Sequence, residues 1–381
     1  MTEDTALECD SLTVAYGHEP VLANLDLTVR GGEVLALLGP SGSGKSTVLH
    51  AVAGFLTLAE GRIRIAGEEV ASPRRSVPSE RRDVAMVFQH YALWPHLSVR
   101  EIVAYPLRRA RVGRASARSQ AQELLARMEI ADLADRRPAE LSGGQQQRVG
   151  LARALARHAG LYLFDEPTAH LDTHLRSVFQ EELAERVGAV RAAAIYATHD
   201  AGEALALADR VALLRDGAVV QTGTPRRVYE RPADLWAARL TGPAHLLACP
   251  RLQVRSERVR ATVAGVDVDV PGGAATERAD GRAAPEPAQT AATMLVRPDW
   301  AVLDGPLPAT VARATYRGPH TDYLLDTPAG RLAVREIGPP RLHAGQPTGW
   351  ALRRAWVLPR DDEAEVLEKE EPAQSSAAGR G

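Results

Sequence analysis

Residues 39–47 read Gly-Pro-Ser-Gly-Ser-Gly-Lys-Ser-Thr. An apolar run, Val34–Leu38, leads into them and an apolar helical stretch, Val48 to Phe55, leads away. Strand, glycine-rich loop and helix in that order form the arrangement that wraps a phosphate. The glycines permit a tight nest of N–H groups at the positive end of a helix. Ser41, Gly42, Ser43, Gly44, Lys45, Ser46 and Thr47 are therefore the expected nucleotide-binding residues. Lys45 is expected to bridge the β- and γ-phosphates, and the Ser46 hydroxyl to ligate Mg²⁺. The bland alternative is a glycine turn with a solvated lysine, which the flanking strand and helix disfavour.

A second element is Leu161–Glu166, an apolar strand ending in two carboxylates. Such a strand delivers its last residues to the carboxyl edge of a sheet, where ligands of open α/β sheets sit. Asp165 is placed to contact Mg²⁺, directly or through water. Glu166 is placed to polarise an attacking water as general base. Read alone, two acids ending a strand mark only a turn; downstream of a phosphate loop they read as catalytic. A third element, Leu141-Ser142-Gly143-Gly144-Gln145, opens another helix, with Ser142 as its cap and two glycines leaving N–H groups open to an anion. It lies about a hundred residues beyond Lys45 in a chain that already has a phosphate loop. A second phosphate-binding element makes sense if it serves the γ-phosphate held by a partner subunit.

With that LSGGQ run the sequence resembles the ABC ATPase family, whose signature motif it matches, and the order of the other motifs agrees. The resemblance implies that Tyr16 stacks on adenine. Gln89, in Met86–Tyr91, resembles the glutamine that links Mg²⁺ to the membrane partner. Residues 169–172 resemble the D-loop, with His170 where a small residue or asparagine is usual. His199 resembles the switch histidine, a catalytic partner of Glu166. It further implies that two copies close head-to-tail around two ATPs, with Ser142, Gly143, Gly144 and Gln145 of one copy facing the nucleotide on Lys45 of the other. Two transmembrane permease subunits, and through them an extracytoplasmic substrate-binding protein, are the other implied partners. Tyr91–His96 falls where a permease contact is expected, although its aromatics have packing on their own domain as an equal reading. The implied place is the cytoplasmic face of the membrane, held there peripherally.

The elements that must position these residues alternate along the first 240 residues. Strand-like runs at 10–30, Val34–Leu38, Leu161–Asp165 and Ala193–Thr198 interleave with helical patterns over 98–157, including Ser116–Met128, and at Asp172–Val187. That alternation argues for a mostly parallel sheet. The expectation is an α/β P-loop NTPase (RecA-like) core over 1–240, with a helical subdomain at about 90–158. After Leu240 short β-type runs separated by turn residues replace helical periodicity: Val263–Val270, Met294–Val296, Thr310–Tyr316, Tyr323–Asp326 and Arg331–Arg335. These predict a small all-β, OB-like domain over 241–360. It resembles the TOBE-type accessory domain of importer ATPases, with Leu295–Asp299 as its "RPE"-like turn and Tyr316–Tyr323 as the hairpin after it. Gly272–Thr290 reads as a mobile loop and 361–381 as a disordered tail.

Bulk properties narrow the function. The 381 residues carry a net charge of -2 with both signs interleaved, which gives no electrostatic case for nucleic acid. Cys9 and Cys249 lie far apart, so neither a disulfide framework nor a zinc site is suggested. No apolar run approaches the ~20 residues of a spanning helix, and Met1–Asp10 lacks the apolar core of a secretory signal. A transport ATPase is the leading reading. A soluble ABC ATPase acting on nucleic acid or the ribosome lacks support from paired cassettes, heptads or cysteine clusters. An exporter ATPase is disfavoured by the C-terminal β-domain. Phe88–Pro95 loosely resembles the ferric iron, phosphonate and polyamine members more than the sugar members.

Overall fold

The computed structural model describes residues 5–17, 19–168, 171–249, 251–255, 257–275 and 292–358. The chain divides into two compact units at Pro225 and Arg226. In the first unit, a six-stranded sheet runs in the order Ala218–Gly223, Arg210–Arg215, Val34–Leu38, Ala193–Thr198, Leu161–Asp165, Val84–Val87. All neighbours are parallel except the Ala218–Gly223 edge strand. The three central strands are buried at every residue, as parallel strands covered on both faces must be. Their side chains alternate between two cores. Leu35, Leu37, Leu161, Leu163 and Ile195 join helix Lys45–Ala53 and the antiparallel sheet built on Thr5–Tyr16 and Glu19–Arg30. Tyr162, Phe164, Ala194 and Tyr196 join helices Val99–Arg109, Arg114–Arg127, Gly143–Ala156 and Thr173–Val190.

The parallel order is what builds a site. The residues after Leu38, Thr198, Asp165 and Val87 all emerge at the carboxyl edge, from adjacent strands. Helix Thr173–Val190 starts one residue inside the expected limit because Asp172 is its cap, its carboxylate accepting the Leu175 N–H at 3.0 Å. The stretch expected to begin a helix at Val48 begins it at Lys45.

The second unit carries helices Pro225–Glu230 and Leu235–Thr241, followed among the described residues by strands in a six-stranded and a four-stranded sheet and one 3-10 turn, Pro298–Trp300. This is the all-β region that the turn-rich sequence predicts, and it is consistent with a TOBE-like domain. Two expectations need correction. Val263–Val270 is not one strand: Ala264 and Gly265 take φ of 51° and 81° and fold it into a tight hairpin in which Val263 pairs with Val266. Nor is Gly272 a loop residue, since strand Val266–Ala274 runs through it and pairs in parallel with Ala355–Val357. A Cβ on Gly272 would sit 2.0 Å from the Ala355 carbonyl oxygen, so this glycine permits close strand approach and not mobility. The rest of the expected loop, from 276, and the expected tail lie outside the described residues. Arg297 of the RPD turn is wholly buried. It donates to the carbonyls of Tyr229, Ala238 and Pro243 and to Thr241 Oγ1, at 2.9–3.2 Å, and stacks on the Tyr229 ring. The turn thereby fastens both helices of its unit to its sheets.

Candidate functional site

The phosphate loop is shaped by its glycines. Gly42 and Gly44 take φ of 83° and 103°, and a Cβ on Gly39 would lie 2.4 Å from the Leu214 carbonyl. Helix Lys45–Ala53 starts at Gly44 without any side-chain cap and with no acid in its first turn. Its first N–H groups therefore have no partner within the helix and make this turn a positive pole. Lys45 is 5% exposed, and its ammonium donates to the carbonyls of Gly39 and Pro40 at 2.9 Å each. Of its three donors, one remains for a phosphate. Burial draws the Lys45 pKa below its ordinary value, and the charges of Glu166 and Asp165 oppose that.

Ser46 Oγ donates to Asp165 Oδ1 at 3.0 Å, joining the loop to the end of strand Leu161–Asp165, across the intervening strand Ala193–Thr198. Burial pushes the Asp165 carboxyl up, and the Ser46 hydrogen bond pulls it back. Glu166 follows with a left-handed backbone, φ 48°. Its N–H donates to the Ala197 carbonyl at 3.0 Å, and its Oε1 meets His199 Nδ1 at 3.0 Å. The two side chains expected to handle the attacking water are thus in contact. Gln89 lies exposed just past strand Val84–Val87, and Tyr16 ends strand Thr5–Tyr16 with 55% of its surface exposed.

The Ser142 turn behaves differently. Ser142 and Gly143 are exposed, and helix Gly143–Ala156 is closed by a full capping box. Ser142 Oγ accepts the Gln145 N–H at 3.3 Å, and Gln145 Oε1 accepts the Ser142 N–H at 2.9 Å. Among the described residues, no hydrogen bond or ion pair joins 141–145 to 39–47. Deeper in the same helix, Gln147 donates to the Pro167 carbonyl, reaching the loop that carries Glu166. Arg153 holds the carbonyls of Ala92 and Tyr91 at 2.6 and 3.0 Å, where both residues have positive φ. Trp94 packs on Tyr105 with ring centroids 4.7 Å apart. Residues 169 and 170, which include the unusual histidine, lie outside the described residues.

Sequence reasoning passed over Glu203, Thr168 and Thr198, which form a buried polar cluster behind the Glu166–His199 pair. Their only sequence signal is a pair of threonines, each within two residues of a predicted catalytic side chain.

A phosphate loop, a carboxylate pair and a histidine at one edge of a parallel sheet define a nucleoside triphosphatase. A family model described as "ABC transporter" matches residues 22–169. The Fe(3+) ions import ATP-binding protein FbpC of Brucella abortus is 38% identical over 329 residues, covering 85% of this chain and 89% of that protein. The spermidine/putrescine import ATP-binding protein PotA of Aggregatibacter actinomycetemcomitans is 40% identical over 253 residues, covering 66% and 67%. Among solved structures, a dimeric post-hydrolysis state of an ATP-binding cassette bound to ADP and Pi aligns with a TM-score of 0.53 at 31% identity. It covers 58% of this chain and 99% of that one. The chain belongs to the ATP-binding proteins of ABC transporters, and it is an ATPase of that family. Among the described residues, no helix is long and apolar enough to cross a membrane.

Proposed function

We propose that the chain energises solute import from the cytoplasmic face of a membrane, as a pair of copies that close around ATP and reopen on hydrolysis. The observation that carries this is the convergence of Lys45, Ser46, Asp165, Glu166 and His199 on one sheet edge, tied by the 3.0 Å contacts of Ser46 with Asp165 and of Glu166 with His199. ATP is the substrate: Ser41 to Thr47 bind its phosphates, and Tyr16 stacks on its base.

The hard oxygens of Ser46 and Asp165 fit Mg²⁺, because two neighbouring oxygens of an octahedral ion at about 2.1 Å lie about 3 Å apart. Gln89 would supply a further oxygen to the ion. When bound, the ion would offset the charge of the phosphate oxygens. Glu166 accepts a proton from the attacking water, and His199, hydrogen-bonded to it, holds the carboxylate toward the γ-phosphate. Ser142, Gly143, Gly144 and Gln145 serve the nucleotide of the opposite copy. ATP favours the closed pair only by binding it more tightly than the open one. The ATPase domain, expected over 1–240, is the first unit and closes at Pro225, with a helical part at about 90–158 that meets the permeases near Gln89. The accessory β-domain, expected over 241–360, begins with the two short helices from Arg226 on. An extracytoplasmic binding protein would deliver solute to the two permease subunits.

Ferric iron is the solute we infer, since the relative named for Fe(3+) import aligns along most of both chains. Uptake of radiolabelled iron, against radiolabelled spermidine, by cells with and without the gene tests that inference. For the chemistry, Glu166→Gln removes the base and keeps the shape. It should cut turnover by about 10²–10⁴-fold with ATP affinity intact, judged by phosphate release and nucleotide titration. Full hydrolysis in that variant would refute the assignment.

A further inference from the structure

Glu203 is 7% exposed and lies in the first turn of helix Ala201–Leu207. Thr168 Oγ1 donates to its Oε1 at 2.7 Å, and Tyr196 OH and Thr198 Oγ1 each reach its Oε2 at 3.0 Å. Thr168 Oγ1 and Tyr196 OH are themselves 2.6 Å apart. Arg176 Nε, on helix Thr173–Val190, stands 3.3 Å from Oε1. Thr168 and Tyr196 are 0% exposed and Thr198 2%, so these bonds are shielded from bulk solvent.

The protons of this cluster fix its logic. Three hydroxyls supply three protons, and an ionised carboxylate only accepts. Thr198 Oγ1 already accepts the Asp200 N–H at 3.0 Å, so its own proton goes to Glu203. Glu203 is the acceptor on which all three hydroxyls depend, and Arg176 balances its charge. A buried carboxylate so placed is costly unless every partner stays in position, which makes the cluster rigid.

The partners come from separate elements. Thr168 belongs to the loop that begins with Glu166, and Thr198 is the strand residue before His199. We infer that Glu203 is a positioning residue for hydrolysis: its two oxygens set the spacing of the Glu166 loop and the His199 strand end, and so hold the 3.0 Å contact between base and histidine. The inference rests on the roles given above to Glu166 and His199. It extends the site to a buried carboxylate behind the Glu166–His199 pair. Gln at 203 would bring two more donors into a cluster whose hydroxyls are already donors, so substitution of the threonines is the gentler probe.

The test uses the full-length protein with Thr168→Val, Thr198→Val, their double variant, Thr198→Ser and Glu166→Gln. Steady-state ATP hydrolysis, nucleotide affinity and thermal midpoint are measured for each. Each valine variant should lower kcat about tenfold with KM within about twofold, because a misplaced base slows chemistry without weakening binding. The double variant should lose no more than the worse single one, since both act through one carboxylate. Thr198→Ser should restore the rate. Near-normal kcat in both valine variants, with Glu166→Gln inactive, would overturn the positioning role and leave the base assignment standing. Losses that multiply, or a kcat that falls only as the protein melts, would overturn it as well. An active Glu166→Gln would instead remove the reading on which the inference rests.

Discussion

Two helices of the first unit begin in glycine-rich turns, and they treat their free N–H groups in opposite ways. Helix Lys45–Ala53 starts at Gly44 with nothing from a side chain to cap it, beside the buried Ser43 and Lys45. Helix Gly143–Ala156 starts at Ser142 with a closed box at the surface. The first turn leaves its positive pole for an anion to complete. The second has two of its N–H groups, those of Ser142 and Gln145, satisfied by its own residues, so a phosphate there meets the N–H groups of Gly143 and Gly144 alone unless the box opens. The difference teaches that a glycine-rich helix start can offer its full set of N–H groups or only part of it, and that its capping bonds decide how many.

That contrast can be broken at three levels. The largest effect concerns binding. Lys45→Ala should weaken ATP binding about 100-fold, near 3 kcal/mol for a lost charged hydrogen-bond partner. Ser142→Ala should leave the affinity of dilute, unpaired protein within about twofold. Equal losses, seen by fluorescent-nucleotide titration, would erase the distinction. Next comes backbone strain. Gly44→Ala forces an L-residue to φ 103° and puts its Cβ 2.7 Å from Leu22 Cδ2, whereas a Cβ on Gly143 meets nothing. Urea unfolding should show a loss of about 1–3 kcal/mol for the first and within about 0.5 kcal/mol for the second. The smallest effect is the cap itself. Ser142→Ala should cost the ligand-free protein about 1 kcal/mol, read as a lower urea midpoint. An unchanged midpoint would mean that the box contributes nothing and that both helix starts are equally bare.

The phosphate loop and the carboxylate pair were legible because each is local: a buried apolar strand followed within a few residues by the groups it delivers. The parallel sheet followed from the same runs. What stayed hidden depends on partners distant in the chain. Gly272 resembles a loop glycine until strand Ala355–Val357 is laid against it. Glu203 is one acid on a helix until Thr168, Arg176, Tyr196 and Thr198 arrive from three other segments. Arg297 belongs to a recognisable turn, yet its grip on the carbonyls of Tyr229, Ala238 and Pro243 cannot be read from spacing. At 264–265 the glycine is a turn residue, but alanine disfavours the positive φ it takes there, so the valine alternation reads on through the hairpin.

Glu166 stands in the left-handed region, where a side chain with a Cβ is crowded and glycine is not. A chain tuned only for folding would carry glycine at 166 and gain on the order of 1 kcal/mol. The protein instead keeps a strained acid at the strand's end, so its resting fold is less durable than its own sequence space permits. Variants that hydrolyse nothing should therefore appear among its sturdiest, and a screen for thermal resistance alone would tend to select dead enzymes.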